Sequence, residues 1–356
     1  MKTIALITSV DYELFGDGSG DVTREQIDRI TYLEQIVNQY GVKLTIMFEY
    51  GQFLAYEKFA VKNRKFTEDN EKIKEQLISL IKMGHDVQLH YHAQWENAIY
   101  DELTNSFDVN IKTIDISSLP YNIIVKRLKD GKFFLEDLLK PYKKDYRCIG
   151  FRAGSWAVQD QKKLLSALIE TGFKSDTSVV PNTQFDSEQV KFNYKNCPSQ
   201  YHYWFVNDTL ERQGLSKLFV EIPIYTNKSF FAYLKYLNSK YFNSRRIVKK
   251  LYHIKVSEQN FSLYQKLKKV FSRNYYMADL NTMSAETLIT MVEKVLNSNQ
   301  FEDEDVIPIM FISHSKTSYA LEDLHTFYSY LADKYSNRIE YWTYQETIDY
   351  IQKDRE

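Results

Sequence analysis

Residues 4–10 (IALITSV) form an almost unbroken apolar run, the pattern of a strand buried on both faces. Thr23 and Gln26 then stand three apart, as in a capping box, and Ile27, Ile30, Leu33, Ile36 and Val37 follow at helical spacing until Gly41. Residues 43–49 (KLTIMFE) read as a second strand. Residues 70–83 place Ile73, Leu77, Leu80 and Ile81 on one helical face before a stop at Gly84. The alternation continues with strand 87–92, helix 123–139, strand 148–152, helix 161–171, and strands 175–180 and 218–224. After a long insertion come helix 285–296, strand 306–313, helix 321–335, strand 339–343 and helix 345–351. Strands separated by helices in this way predict a parallel sheet, either doubly wound or closed into a barrel.

In parallel α/β folds the functional groups collect at the carboxyl ends of the strands. Here nearly every strand ends on a polar or ionisable residue: Asp11 and Glu13, Glu49, His90 and His92, Arg152, Asp176, Glu221 and His314. Chance would scatter such residues over both ends, so this rim is the candidate site. Asp11 and Glu13 are two apart on an extended segment and share a face, as do His90 and His92. Two carboxylates and two imidazoles make a donor set for a divalent ion, zinc foremost, with positions left open for water and substrate. His85, in the turn after a helix, reads as a helix-terminal residue outside the site. The strand-end acids Glu49 and Glu221 read as supporting or structural groups. Trp156 and Tyr91, near the rim, are candidates to stack on a ligand, and Asp176 is a candidate for substrate contact.

Composition narrows the class. Apolar residues make up 44% of the 356 residues and charged residues 26%, which suits a chain with a packed core and excludes general disorder. Two cysteines, Cys148 and Cys197, are too few for a disulfide scaffold and point to a reducing compartment. The first residues carry no export signal, and no apolar run approaches the length of a membrane span. A cytoplasmic protein, peripheral to a membrane at most, is expected. The formal net charge of −1 gives no reason to expect a polyanion as the main partner.

The segments SVDYE, GHDVQLHYH, GFRAGSW, DTSV with VEIP after it, and FISHS resemble, in order and spacing, the five signature regions of the polysaccharide deacetylases, carbohydrate esterase family 4. The resemblance runs from the first strand to His314. It implies a distorted parallel (β/α) barrel of seven strands and a metal-dependent hydrolase that removes an acetyl group from a sugar. By likeness, Asp11 corresponds to the catalytic base, Glu13 to the acidic metal ligand, His90 to a histidine ligand, Arg152 to the residue orienting the base and His314 to the general acid. Two departures stand out. Tyr12 replaces the second of two adjacent acids, so the acidic ligand is Glu13 or Asp11 itself. Gln94 stands four residues after His90, where the second histidine is usual, and His92 is the residue available to substitute.

The chain thus reads as one barrel over residues 1–356, with a basic, aromatic-rich helical insertion or lid over 226–283. From Lys228 to Arg273 twelve Lys or Arg face one acid, Glu258, interleaved with Phe230, Phe231, Tyr233, Tyr236, Tyr241 and Phe242. Such a segment suits either a lid over the barrel or contact with an anionic membrane surface. No nucleic-acid motif accompanies the charge. The expected partner is a saccharide, lipid-linked in one version, and the expected role is synthesis of a surface polysaccharide or glycolipid. Two alternatives stay open: a non-catalytic saccharide- or partner-binding barrel with a degenerate metal site, and a hydrolase of another C–N bond such as a formamide.

Overall fold

A computed structural model of the chain describes residues 3–187, 190–199, 202–229, 274–298 and 306–353. Most of the basic insertion predicted over 226–283, and of the 228–273 segment considered for membrane contact, lies outside the described residues.

The architecture is a curled parallel sheet. Its strands are β1 (Thr3–Tyr12), β2 (Leu44–Glu49), β3 (Asp86–Tyr91), β4 (Gly150–Ala153), β5 (Ser175–Asp176), β6 (Val220–Glu221) and β7 (Val306–His314). Hydrogen-bonded neighbours run β6-β5-β4-β3-β2-β1-β7, all parallel, with the antiparallel pair Trp204–Phe205 on the outer edge of β6. The ring closes through single bridges rather than a ladder: Ile224, just past β6, pairs with Met310 of β7, and Asp279 pairs with Ile312. This is the distorted seven-stranded barrel that the sequence implied. An eighth strand, β8 (Ile339–Tyr341), lies outside the ring and shares an edge of β1 with β2: Ile4–Leu6 pair with β8, Thr8–Tyr12 with β2.

The helices are α1 (Arg29–Val37), α2 (Tyr50–Phe59), α3 (Arg64–Lys82), α4 (Tyr121–Leu139), α5 (Gln161–Glu170), α6 (Ala285–Leu296), α7 (Leu321–Tyr335) and α8 (Tyr344–Lys353). α3 buries Ile73, Leu77, Leu80 and Ile81, as their spacing predicted, and Gly84 follows in the left-handed conformation that favours glycine. His85 is buried, and its Nδ1 accepts a hydrogen bond from the backbone of Leu44, so it serves the fold and not the site. Among the described residues no helix is long and apolar enough to cross a membrane.

Two expectations are corrected, and one helix is added to those the sequence predicts. Helix α2 carries no amphipathic pattern, because Tyr50, Gly51, Gln52, Phe53, Ala55, Tyr56 and Phe59 are all buried and leave no polar face to mark a period. The reciprocal capping pair at the first helix is Asp21 with Glu25, not Thr23 with Gln26. Asp21 accepts from the Arg24 amide at 3.1 Å while Glu25 accepts from the Asp21 amide at 2.7 Å, a spacing that matches the wider turn of the π-helical segment Val22–Asp28. Strands β5 and β6 pair over only two residues each where longer runs were expected. Beyond Asp176 the backbone turns back on its own side chain, whose carboxylate accepts from the Ser178 amide at 2.8 Å.

Candidate metal centre and surrounding groups

Strand alternation aims Asp11 and Glu13 into the barrel and Tyr12 outward, where its hydroxyl donates to Gln76 at 2.8 Å. Ser315 fastens this strand end: its amide donates to Asp11 O at 3.0 Å, and its hydroxyl accepts from the Glu13 amide at 3.0 Å. Both carboxylates are buried.

Asp11 is held by Arg152, which is fully buried on β4. Nη1 donates to Asp11 Oδ1 at 2.5 Å, Nη2 to Ser9 Oγ at 2.9 Å and Nε to Thr177 O at 3.2 Å. A guanidinium satisfied on three sides cannot swing away, so it fixes the carboxylate in place. Burial pushes the Asp11 carboxyl up, but Arg152, with His90 and His314 behind it, outweighs burial and holds it below the usual carboxylate value. On the other side of Asp11, His314 Nε2 stands 3.6 Å from Oδ2. The His314 amide donates to Asn281 Oδ1 at 2.6 Å, and the indole of Trp156 meets the imidazole edge-on at 5.9 Å. Burial pulls His314 down to about 4 against the opposing pull of Asp11. The imidazole is therefore neutral at neutral pH.

Glu13 gathers the histidines. Its Oε2 lies 2.6 Å from His92 Nε2 and 3.4 Å from His90 Nε2, and the two rings stand perpendicular. His90 Nδ1 sits 2.9 Å from Arg152 O, a partner that can only accept, so this nitrogen carries a proton and the ring is turned with Nε2 toward Glu13. His92 Nδ1 meets the side chain of Gln94, with Oε1 at 3.3 Å and Nε2 at 3.1 Å. The other Glu13 oxygen takes the ammonium of Lys316 at 2.5 Å. Burial raises the Glu13 carboxyl, yet Lys316 and the two histidines hold it well below the usual range.

A further carboxylate joins them. Glu49, at the end of β2, is 2% exposed and caps α2 through Oε1, which accepts from the Gly51 amide at 2.7 Å and the Gln52 amide at 3.2 Å. Its Oε2 is buried with no hydrogen-bond partner among the described residues. Burial pushes this carboxyl up to about 7, with Glu13 adding to the rise and His92 opposing it. Glu13, Glu49, His90 and His92 each offer a ligand atom within 4.8 Å of the others, and Asp11, Glu13 and His314 form a second such group. Asp11 is paired with Arg152 and Glu13 with Lys316, while among the described residues no Lys or Arg pairs with Glu49. A buried carboxylate with an unpartnered oxygen, grouped with a second carboxylate and two imidazoles, fits a divalent ion.

Of the residues that the sequence singled out, Asp11, Glu13, His90, His92, Arg152 and His314 are brought together, and Trp156 stands over His314. Trp156 and Ser155 both have positive φ, 55° and 53°, unusual for residues other than glycine and found where surrounding structure holds a functional loop in place. Tyr91 is not brought to the cluster. It lies on the opposite face of β3 from His90, 1% exposed, with its hydroxyl donating to Glu96 at 2.6 Å. Asp176 is fully buried, with its carboxylate bonded to Ser178 and beside Glu221. From sequence Glu49 reads only as a supporting or structural group, and Lys316 is not singled out. The strand-end rule pointed to Glu49; nothing in the pattern marked Lys316.

No family model and no curated protein matches the chain. Solved structures do. A 4-alpha-glucanotransferase from Thermococcus litoralis aligns at TM-score 0.52 and 14% identity, over 98% of this chain and 40% of that one. An allantoinase aligns at TM-score 0.49 and 11% identity, over 99% and 91% of the two chains. A protein described as a polysaccharide deacetylase, from Mycobacterium smegmatis, aligns at TM-score 0.48 and 12% identity, over 99% and 92%. The first likeness is one of fold, and no inference about reaction rests on the other two. Two further similar structures are described as polysaccharide deacetylases.

Proposed function

We propose that this chain is a metal-dependent hydrolase that removes an acyl group, N-acetyl foremost, from a sugar amine, with Glu13, His90 and His92 holding a divalent ion, zinc or a similar metal. The observation that carries the reading is the convergence of two imidazole Nε2 atoms on one carboxylate oxygen, the Nδ1 of each histidine being engaged elsewhere. Such an ion, when bound, polarises the scissile carbonyl and makes water a better nucleophile.

The remaining work falls to the protein. Asp11, kept ionised and aimed by Arg152, is the base that takes a proton from the attacking water. His314, neutral at rest, receives a proton during turnover from Asp11, 3.6 Å away, and hands it to the departing amine. Trp156, over His314, offers an apolar face to the sugar ring. The sugar belongs to a surface polysaccharide or glycolipid under assembly, a reading supported by the basic, aromatic composition of residues 228–273.

The pairing of Glu13 with Lys316 favours a second reading, a saccharide-binding barrel that does without metal, because the ammonium neutralises Glu13 unaided. Elemental analysis of protein purified without chelator separates the two. About one equivalent of metal in the parent, lost in His90→Ala and His92→Ala, together with acetate release from N-acetylated oligosaccharides that fails in Asp11→Asn, is the expected result. A parent that holds no metal and takes up none at micromolar concentration would overturn the hydrolase.

A further inference from the structure

We propose that Glu49 is a fourth protein ligand to the divalent ion, so that the centre is built from two histidines and two carboxylates. The inference rests on the metal-dependent reading above and extends it to a residue that neither the sequence motifs nor the three-ligand set includes.

Three observations carry it. The Glu49 side chain is buried at the end of β2, one strand over from His90, its register partner on β3. Its two oxygens have different surroundings: Oε1 is occupied by two amides at the N-terminus of α2, whereas Oε2 is buried and among the described residues has no donor. The carboxylate also shares its neighbourhood with Glu13, His90 and His92, whose ligand atoms all lie within 4.8 Å. A role limited to capping the helix explains Oε1 and leaves the buried Oε2 without a partner among the described residues, an arrangement that proteins avoid. A cation shared with Glu13 and the histidines satisfies it.

The surroundings look built for this carboxylate. A Cβ on Gly51 would come 2.7 Å from Glu49 Oε1 and 3.1 Å from His92 O, so only glycine lets the chain close over both residues. The cap bonds then do for Glu49 what Arg152 O does for His90: they fix the orientation of the ligand through the atom that does not bind. A consequence follows for the ion. Four protein ligands leave room for water and substrate only at a coordination number of five or more, which suits zinc in an expanded shell, or manganese, iron(II) or cobalt.

The test is calorimetric titration of cobalt(II) and of zinc into the chelator-stripped full chain, for the parent, Glu49→Gln and Glu49→Asp. Glutamine keeps an oxygen for the helix cap and loses the charge; aspartate keeps both but withdraws the carboxylate. The expected result is binding weakened by roughly 10- to 100-fold in both variants, at least the loss seen when a ligand's supporting partner is removed. It is accompanied by a changed cobalt(II) absorption spectrum and unaltered circular dichroism. Parent-like affinity and spectrum in both variants would overturn Glu49 as a ligand and leave the three-residue site standing. A parent that binds neither ion would overturn the metal reading itself. If one variant fails to fold, the other decides.

Discussion

His92 Nε2 lies 2.6 Å from Glu13 Oε2, the same oxygen that His90 Nε2 approaches at 3.4 Å. Residues two apart on an extended segment face the same way, so His90 near the end of β3 and His92 just past it reach one carboxylate together. The glutamine at position 94, where a histidine was the familiar residue, sits against the outer nitrogen of His92 instead. In that position it supports the His92 ring.

That support is measurable. In Gln94→Leu the Nδ1 atom of His92 loses its partner and the ring is free to turn or change tautomer. Metal affinity by calorimetric titration is expected to fall roughly 10- to 100-fold. Unchanged affinity would show that packing alone orients His92.

The ring is also held from behind. A Cβ on Gly154 would lie 2.6 Å from His92 Cγ and 2.7 Å from Nδ1, closer than side chains tolerate. Gly154→Ala must therefore push the imidazole out of line. Strain of about 1–3 kcal/mol is expected in urea denaturation, with a loss of metal binding out of proportion to it. A variant that is destabilised yet binds metal like the parent would show that His92 is not held through this contact.

Arg152 and Asp11 form an ion pair with both members buried. Arg152→Met removes one charge and strands the other, and denaturant unfolding at neutral pH should show a loss of about 3–5 kcal/mol. Arg152→Met with Asp11→Asn should recover part of that loss, because the stranded charge is gone. If the double variant is no better than the single, the cost lies in packing and not in charge.

A pH dependence follows from the buried acids Asp176 and Glu221, in register on β5 and β6. Burial raises Asp176 to about 6, its hydrogen bonds opposing, and raises Glu221 well above its ordinary 4.5, the Asp176 charge adding to the rise. The folded state therefore binds these protons more tightly than the unfolded chain. Their contribution to stability is full in acid, below the ordinary carboxylate values, and declines as the pH rises through about 6 and beyond. Glu221→Gln keeps an oxygen for the Val179 amide and supplies a permanent donor toward Asp176. Thermal melts should show that this variant loses less stability than the parent between acid and mildly alkaline pH, and exceeds it at the alkaline end. Parallel curves for the two proteins would refute the shared-proton description.

Much of the site could be read in one dimension because strand geometry is local. The two-residue period put Asp11 with Glu13 and His90 with His92, and the rule that parallel strands present chemistry at their carboxyl ends brought in Arg152 and His314. The apolar run of β1 and the helical spacing of α3 were equally legible, since each is set by burial on a regular period. Helix α2 escaped because it is buried nearly all round and shows no period.

What only the tertiary structure decided is which side chains at that rim face one another. Glu49 and Glu221 look alike in sequence, but pairing of β2 with β3 delivers Glu49 to the histidines, while pairing of β5 with β6 sets Glu221 against Asp176. Tyr91 sits between two inward histidines and for that reason points away from them. Lys316 reaches Glu13 because β1 and β7 lie side by side, from positions at opposite ends of the chain. The choice between a doubly wound sheet and a barrel likewise fell to the few bridges that join Ile224 and Asp279 to β7. Residue types and their local period determine what chemistry the chain carries and which face of each element bears it. Strand order and ring closure, which depend on contacts distant in sequence, determine which of those groups meet.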